Sequence, residues 1–316
     1  MHLAPGDPQL LEQLFEFRYL RSGQLARLTE RSSQVVRRRL RRLATAEYVL
    51  PLTRSPTEQA AYALGPLGFE WMAHQLGVAQ RDLPFSRRTD RNKAASFFWR
   101  HELLVSDIII AFRKGLEGHP DLSLDRAIRE WEMSDPRAKA HHKRYLLSER
   151  LEEEGRAHAH RPDACLLLGL ARAPREMKVA VFIEADRNTQ SMRRIRRKLE
   201  AYRVYWKRER YAAALGAVSM RVLFVLGEVR TDRRIGSMQQ ELARMTAGQG
   251  ERGQPAGPPV ELFRFTRSEA LAGNIVSDAV WRTGLETDSA PFYRRASAQL
   301  CLPLEGGPFP GEEAAQ

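Results

Sequence analysis

Residues 179–186 read VAVFIEAD, a run of apolar residues that ends in two carboxylates separated by one residue. A short, continuous apolar run of this kind is typical of a strand that is buried on both faces. Side chains two positions apart on a strand point to the same face, so Glu184 and Asp186 are predicted to share one face. The sequence therefore predicts a central strand with acidic side chains at its carboxyl end.

A second strand carrying an acid precedes this one. Residues 162–168 read PDACLLL, with Asp163 at the start of the apolar run. If the two strands are neighbours, Asp163 lies within a few ångströms of Glu184. Carboxylates that converge repel one another unless a cation joins them, and hard oxygen ligands suit Mg²⁺ or Mn²⁺. Such a cation can polarise a phosphodiester and activate water.

The same acids also have a purely structural interpretation. Asp163 follows Pro162 and can be a turn residue at the start of a strand, and Glu184 and Asp186 can cap the helix that follows, because acids favour a helix N-terminus. The sequence leaves both interpretations open.

Further strands and helices surround these two strands. Apolar periodicity predicts helices over residues 96–113, 191–210 and 233–245, and further strands over residues 127–133, 220–226 and 260–265. Strands flanked by helices predict an α/β (α+β) sandwich with a mixed sheet.

The predicted helix over residues 191–210 is strongly basic. Its apolar stripe, Ile195, Leu199, Tyr202 and Trp206, predicts that the aromatic side chains belong to the core. The arginines lie off this stripe and are expected to face phosphate groups. The candidate DNA-binding residues here are Arg193, Arg194 and Arg197.

A second basic helix is predicted near the N-terminus, over residues 33–45, which read SQVVRRRLRRLAT. Val36, Leu40 and Leu43 form one apolar stripe, and the segment contains five arginines and no acid. The candidate DNA-binding residues on its other faces are Arg37, Arg38, Arg41 and Arg42. One alternative interpretation is a solvated helix face, although such faces usually mix charges of both signs. A winged helix that binds another protein is a second alternative.

The elements around this basic helix predict a winged helix-turn-helix. Two apolar helical segments precede the helix, the second with Ser22 as its predicted N-cap, and two short apolar runs with a turn at residues 53–57 follow it. In such a fold the third helix enters the major groove and the hairpin tip, here with Arg54, contacts the DNA backbone or the minor groove. A further helix from Pro66 is of a kind that supports a homodimer.

Composition is consistent with a polyanionic partner. Lys and Arg total 51 against 39 Asp and Glu, for a formal net charge of +12, and only seven of these cations are lysines. Arginine can bind two phosphate oxygens at once through its guanidinium group, although codon bias is an alternative explanation of the excess of arginine.

Two distant cysteines without a CxxC pattern argue against a disulfide framework and a cysteine zinc site. His158 and His160 are read as loop residues, and zinc as a minor alternative.

Other function classes lose support from missing patterns. No apolar run approaches the roughly 20 residues of a membrane span, and the N-terminus shows no signal pattern, so a cytoplasmic protein without membrane contact is expected. No phosphate-binding loop, dinucleotide fingerprint or esterase elbow is present.

The predicted organisation is a winged helix at residues 1–80, a linker at 81–95, an α/β domain at 96–300 and a disordered tail at 301–316.

Several short motifs together resemble a known family. They are HEL at residues 101–103, RPD at 161–163 and FIEADRNT at 182–189, followed by Lys198 and Tyr202. The C-terminal part looks like a variant of the PD-(D/E)XK nuclease superfamily. With the N-terminal winged helix, residues from about 10 to 226 more closely resemble the replication-relaxation proteins of plasmids and other mobile elements.

The resemblance implies roles for individual residues. Asp163 and Glu184 would be the metal ligands for Mg²⁺ or Mn²⁺, and Glu102 would be an additional carboxylate at the site. The usual motif lysine would stand at position 186, where this chain has Asp186. Lys198 or Arg194 would then supply the positive charge from the following helix.

Three functions follow as expectations. The first is a DNA-binding protein that acts in the replication of a mobile element or in its control, with a nuclease-like domain. The second is an active Mg²⁺-dependent DNA endonuclease, and the third is a non-catalytic transcriptional regulator or relaxosome accessory factor. The expected partners are DNA and the replication or transfer proteins of the element.

Overall fold

A computed structural model describes residues 2–52, 59–83, 98–129, 132, 147, 149–153, 155–171, 177–227, 231–246, 260–284 and 288–293. The chain divides into two compact units, residues 1–110 and 111–316. The predicted hairpin tip with Arg54, most of the predicted linker at 81–95 and the predicted tail at 301–316 lie outside the described residues.

The N-terminal unit combines helices with a small antiparallel sheet. Its elements are α1 (Asp7–Phe17), β1 (Leu20–Arg21), α2 (Ser22–Thr29), α3 (Ser33–Thr45), β2 (Val49–Leu52), β3 (Ala61–Leu64), α4 (Pro66–Leu76) and the first part of α5 (Phe98–Leu116). The strands pair in the order β1-β3-β2. The order of three helices and then two paired strands is the one that the sequence predicts.

Helix α3 owes its position to one polar and one apolar feature of its sequence. Ser32 Oγ accepts a hydrogen bond from Val35 N at 3.3 Å and so caps the helix. Val36, Leu40 and Leu43 are fully buried. The predicted stripe is therefore confirmed, and it turns the remaining faces of α3 outward.

Helix α2 begins differently from the prediction. Ser22 is the first residue of the helix rather than its cap, and Arg21 holds the N-cap position. Gln24 Oε1 accepts a hydrogen bond from Arg21 N at 2.7 Å. The side-chain acceptor three residues into the helix satisfies the backbone donor at the cap.

The C-terminal unit is built on a seven-stranded mixed sheet. Its elements are β4 (Leu122–Arg129), β5 (Glu149–Glu153), β6 (Arg156–His160), β7 (Ala164–Leu170), β8 (Met177–Asp186), α6 (Met192–Lys207), α7 (Arg210–Leu215), β9 (Ser219–Leu226), α8 (Thr231–Thr246), β10 (Phe263–Arg267), β11 (Trp281–Thr283) and β12 (Ser289–Ala290). The strand order is β12-β11-β10-β9-β8-β7-β4. Strands β8, β9 and β10 run parallel, and the other pairs are antiparallel. The predicted mixed α/β (α+β) class is confirmed.

Strand β8 is an interior strand of this sheet and lies between β9 and β7. Every residue from 179 to 186 is buried, and helices α6 and α8 pack on the face that carries Phe182, with Leu199 and Met238 in the same core. The continuous apolar run is therefore buried on both faces, as predicted.

Two predicted boundaries are displaced. The predicted helix at 191–210 ends at Lys207, and a separate short helix, α7, begins after Glu209, whose φ of 48° is left-handed. The strand predicted at 127–133 instead spans Leu122–Arg129. Asp125 and Arg126 interrupt the apolar pattern of this strand, so the sequence did not predict its first half.

The hairpin of β5 and β6 was missed, and the loop assignment of His158 and His160 is wrong. Both histidines lie on β6. His160 is buried, stacks on the Tyr205 ring with centroids 3.9 Å apart, and bonds Leu147 O through Nδ1 at 2.9 Å. A strand rich in Arg and His lacks the apolar alternation by which strands are recognised.

Candidate functional site

Asp163 is held against the carboxyl end of β8 by two backbone contacts. Its N–H donates to Ile183 O at 3.0 Å, and its Oδ2 accepts a hydrogen bond from Ala185 N at 2.8 Å. Ala164 pairs with Ile183 across antiparallel β7 and β8. Asp163 therefore lies beside Glu184, as expected if the two strands are neighbours.

The Glu184 carboxylate is buried under α6. Tyr202 OH donates to its Oε1 at 2.7 Å, and the Lys198 ammonium forms an ion pair with its Oε2. Lys198 and Tyr202 are one helical turn apart, so both reach the same carboxylate. Lys198 thus brings a positive charge to this strand from the following helix, the position that the resemblance implies.

Burial and neighbouring charges shift the pKa values of Glu184, Lys198 and Tyr202. It raises the pKa of the Glu184 carboxyl to about 7, against the attraction of Lys198 and with a smaller contribution from Asp163. Burial alone would lower the pKa of Lys198, but the carboxylates of Glu184 and Asp163 outweigh it and raise that pKa. Burial is the main reason why the pKa of Tyr202 lies well above its usual value, and the negative charge of Glu184 raises it further. At neutral pH Lys198 is an ammonium and Tyr202 a hydroxyl donor.

Asp186 shares the face of Glu184 but has a different partner. Its Oδ2 forms an ion pair with Arg234 Nε of α8, and its Oδ1 accepts a hydrogen bond from Asn188 N at 3.0 Å. Arg234 also donates to Gln190 O through Nη2 at 2.6 Å. Arg234 lies 48 residues from Asp186, in no motif with it, so sequence reasoning did not find this pair.

The three acids of the predicted constellation therefore separate into two groups. Asp163 and Glu184 are neighbours with Lys198, whereas Asp186 pairs with Arg234. In the part of the chain that the structure describes, no group of three or more His, Cys, Asp and Glu side chains is placed to hold a metal ion. The acids do not cap α6 either, because Ser191 Oγ accepts the hydrogen bond from Arg194 N at 3.4 Å.

The donor chemistry of Asp163 and Glu184 suits a hard divalent cation. Each carboxylate oxygen has two lone pairs, so the contacts from Lys198 and Tyr202 leave acceptor capacity on the Glu184 oxygens. Carboxylate oxygens are the ligands that Mg²⁺ prefers, often with only one or two carboxylates and several waters. Asp163 and Glu184 are therefore the residues that would hold such an ion, and the metal site stays a prediction.

Glu102 belongs to the other unit. It lies on α5 among residues 1–110, whereas Asp163 and Glu184 lie among residues 111–316. Its membership of the site stays a prediction.

The outward faces of α3 carry a patch of arginines that we call the α3 arginine face: Arg37, Arg38, Arg41 and Arg42, all exposed. Arg37 Nε donates to Ser33 O of its own helix at 3.1 Å. Within the described residues none of these four arginines has an acidic partner. The fifth arginine, Arg39, points inward and forms an ion pair with Asp7 at 2.7 Å.

Helix α6 has two differently engaged halves. Arg203 and Lys207 form ion pairs with Glu153 of the β5–β6 hairpin, and Arg208 donates to the Glu152 carbonyl. Nearer its start, Arg196 forms an ion pair with Glu241 of α8 at 2.7 Å.

The three predicted DNA-binding residues of α6 belong to its N-terminal half. Arg193, Arg194 and Arg197 are exposed, and among the residues described here they have no acidic partner. Their contact with phosphate groups stays a prediction.

No helix of the described chain is both long and apolar enough to cross a membrane. A protein-family model described as replication-relaxation matches residues 11–219, well over half of the chain. The matched region includes α3, Asp163, Glu184 and Lys198. No significant match to the chain was found among curated proteins or among solved structures.

Proposed function

The chain belongs to the replication-relaxation family, and from this membership and the α3 arginine face we propose that it is a DNA-binding protein acting in the replication of a plasmid or other mobile element, or in its control. The family supports a role in replication or mobile-element function. DNA binding, the plasmid setting and the contacts that follow are our proposal.

The observation that carries the proposal is the positive charge on α3, which has no acidic partner among the described residues. Four exposed arginines with no acidic partner among the described residues leave guanidinium groups free to bind phosphate oxygens in bidentate fashion. The order of three helices and two paired strands supports a winged helix-turn-helix, in which the third helix enters the major groove. Arg193, Arg194 and Arg197 of α6 are proposed as a further phosphate contact.

An equilibrium gel shift on a duplex tests this function. The full chain carrying Arg38→Ala with Arg42→Ala should bind at least about tenfold more weakly, because two charge-assisted contacts are lost. The matched control is Arg196→Ala with Arg244→Ala, which removes the same charge from arginines already paired with Glu241. Equal affinity of wild type and the α3 variant removes α3 from the interface.

A second candidate function is a Mg²⁺-dependent endonuclease. It is favoured by the ammonium of Lys198 beside Asp163 and Glu184, the three residue types of a PD-(D/E)XK site. Asp163 and Glu184 would hold Mg²⁺ or Mn²⁺, which supplies Lewis-acid activation of a phosphodiester when bound. Lys198 keeps a positive charge at the site, and Tyr202 orients the Glu184 carboxylate.

Plasmid nicking in Mg²⁺ tests the second function. Asp163→Asn keeps an acceptor for Ala185 N but removes the negative charge, so nicking should fall by orders of magnitude relative to wild type. If wild type shows no Mg²⁺-dependent nicking while it binds DNA, the non-catalytic regulator or accessory factor is the remaining function. Homodimerisation, replication or transfer partners and a cytoplasmic location stay predictions.

A further inference from the structure

We propose that Gln34, which lies beside the α3 arginine face, recognises an adenine in the major groove of the DNA site. The inference rests on the proposed DNA-binding function and goes beyond it. Contacts to phosphate groups bind DNA of any sequence, whereas a contact to a base edge selects a sequence. Gln34 would therefore give α3 a preference that its arginines do not supply.

The exposed side of α3 has a central row of side chains. Gln34, Arg38 and Arg41 are all exposed and follow one another at spacings of four and three residues, which place side chains on one helix face. With about 100° of rotation per residue, this row lies roughly opposite the buried apolar stripe of the helix. The row is therefore the part of α3 that would lie against the floor of a groove.

Arg37 and Arg42 flank this central row. Each is exposed, and each lies roughly 70° round the helix from the row, on opposite sides of it. In a major groove about 12 Å wide, the two flanks of a helix face the two phosphate backbones and its central row faces the base edges. The helix thus presents an arginine to each backbone, and Gln34 stands where its central row begins.

The position of Gln34 along α3 favours it for contact with a base. A recognition helix contacts base edges with its N-terminal residues, and Gln34 is the second residue of α3. Arg38 and Arg41 follow one and two turns later, where their longer side chains reach phosphate groups. Of the neighbouring serines, Ser32 is engaged as the N-cap, and Ser33 lies nearer to the buried stripe than to the row.

The amide of Gln34 has the donor and the acceptor that adenine requires. In the major groove adenine presents N7 as an acceptor and its N6 amino group as a donor, and a glutamine amide can bond both at once. Gln34 has no hydrogen-bond partner among the described residues, so it can bind a base without breaking a contact within the protein. A neutral amide gains less from a phosphate group than the guanidinium groups beside it do.

Selection of binding sequences from a randomised duplex by the full chain tests the inference. Wild type should select an adenine at one position, and Gln34→Ala should lose that preference, which is worth roughly 5- to 150-fold in affinity, while the other positions stay as they are. Gln34→Arg should prefer guanine at the same position, because arginine bonds N7 and O6 of guanine. A purely structural role of Gln34 would not exchange one base for another.

The matched control is Gln75→Ala, which removes an exposed glutamine of α4 that likewise has no hydrogen-bond partner in the described part of the chain. This control should select the same sequence as wild type. Gln34 and Gln75 are both exposed, so neither substitution opens a cavity in the core.

The outcomes separate this inference from the proposed function. If both Gln34 variants select the wild-type sequence, or if the position that depends on Gln34 is not an adenine, the inference is overturned and DNA binding stands. The same holds if wild type selects no sequence while Arg38→Ala with Arg42→Ala still weakens its binding. If wild type binds no duplex, or the arginine variant binds like wild type, the proposed function and the inference are both overturned.

Discussion

Asp107 is a partly buried carboxyl on α5 that faces α2. Its Oδ1 accepts a hydrogen bond from Gln24 Nε2 at 2.8 Å, and the same Gln24 nitrogen bonds Leu103 O at 2.9 Å. Burial raises the pKa of Asp107, although Gln24 and the charge of Arg21 oppose the rise. The folded state therefore keeps a proton in a pH range where the unfolded chain has lost it.

Asp107→Asn should change the pH dependence of stability. The free energy of unfolding of wild type falls as pH rises above about 4, because the folded state binds more protons there. Asparagine keeps the acceptor for Gln24 and does not ionise, so the stability of the variant relative to wild type should grow with pH and then level off. Urea unfolding of both proteins between pH 4 and 7 measures this difference in the free energy of unfolding. A difference that does not change with pH would contradict the raised pKa of Asp107.

Gly68 allows α4 to approach the chain that leads into β2. A Cβ added there would stand 2.2 Å from Tyr48 O, which is backbone and cannot move aside. Gly68→Ala should lower the free energy of unfolding by roughly 1–3 kcal/mol through this overlap. The control is Gly23→Ala in α2, where nothing lies within 4 Å, and which should raise it by about 0.5 kcal/mol. Chemical denaturation of both variants should give changes of opposite sign.

Single residues differ in how far their role can be predicted from sequence. Asp163, Glu184 and Lys198 stand in a recognisable order, and the structure places them together. Arg234 has no such signal, because its pairing with Asp186 depends on how α8 packs over the sheet. In the sequence it is one of three arginines on an amphipathic helix, and nothing distinguishes it from Arg233 or Arg244.

At the scale of elements, α6 shows that a basic helix is not one uniform surface. Arg193→Ala with Arg197→Ala should weaken DNA binding, because these arginines have no acidic partner within the described chain. Arg203→Ala with Arg208→Ala removes the same charge but loosens contacts to the β5–β6 hairpin. It should lower the free energy of unfolding and leave DNA affinity unchanged.

Fluorescence anisotropy with a labelled duplex, alongside thermal unfolding, separates the two α6 variants. Equal loss of affinity in both would mean that charge alone, and not its availability on the N-terminal half, governs binding. A loss confined to Arg203→Ala with Arg208→Ala would assign the interface to the opposite half of the helix.

Elements with regular apolar patterns are predicted from sequence, and elements without them are not. Strands β7, β8 and β9 are continuous apolar runs because both faces of the central sheet are buried. The β5–β6 hairpin is polar because its strands form a separate two-stranded sheet, which leaves their charged side chains free to bind α6. The binding of α6 by this hairpin can be recognised only from the three-dimensional structure, because it depends on where α6 packs.

At the scale of the whole molecule, the excess of arginine is distributed selectively. Many acids of the described chain are paired with arginines, as Asp7 is with Arg39 and Glu241 with Arg196. The four arginines of the α3 arginine face have no such partner within the described residues. Codon bias would raise the number of arginines, but it would not explain why acids are missing from one helix face.

The salt dependence of DNA binding by the full chain tests the central claim, that the α3 arginine face binds phosphate groups. Each phosphate contact contributes about 0.9 to the slope of log affinity against log salt concentration. Arg38→Ala with Arg42→Ala should therefore reduce that slope by about 1.8, and Arg196→Ala with Arg244→Ala should leave it unchanged. A slope identical to wild type in the α3 variant would contradict the account.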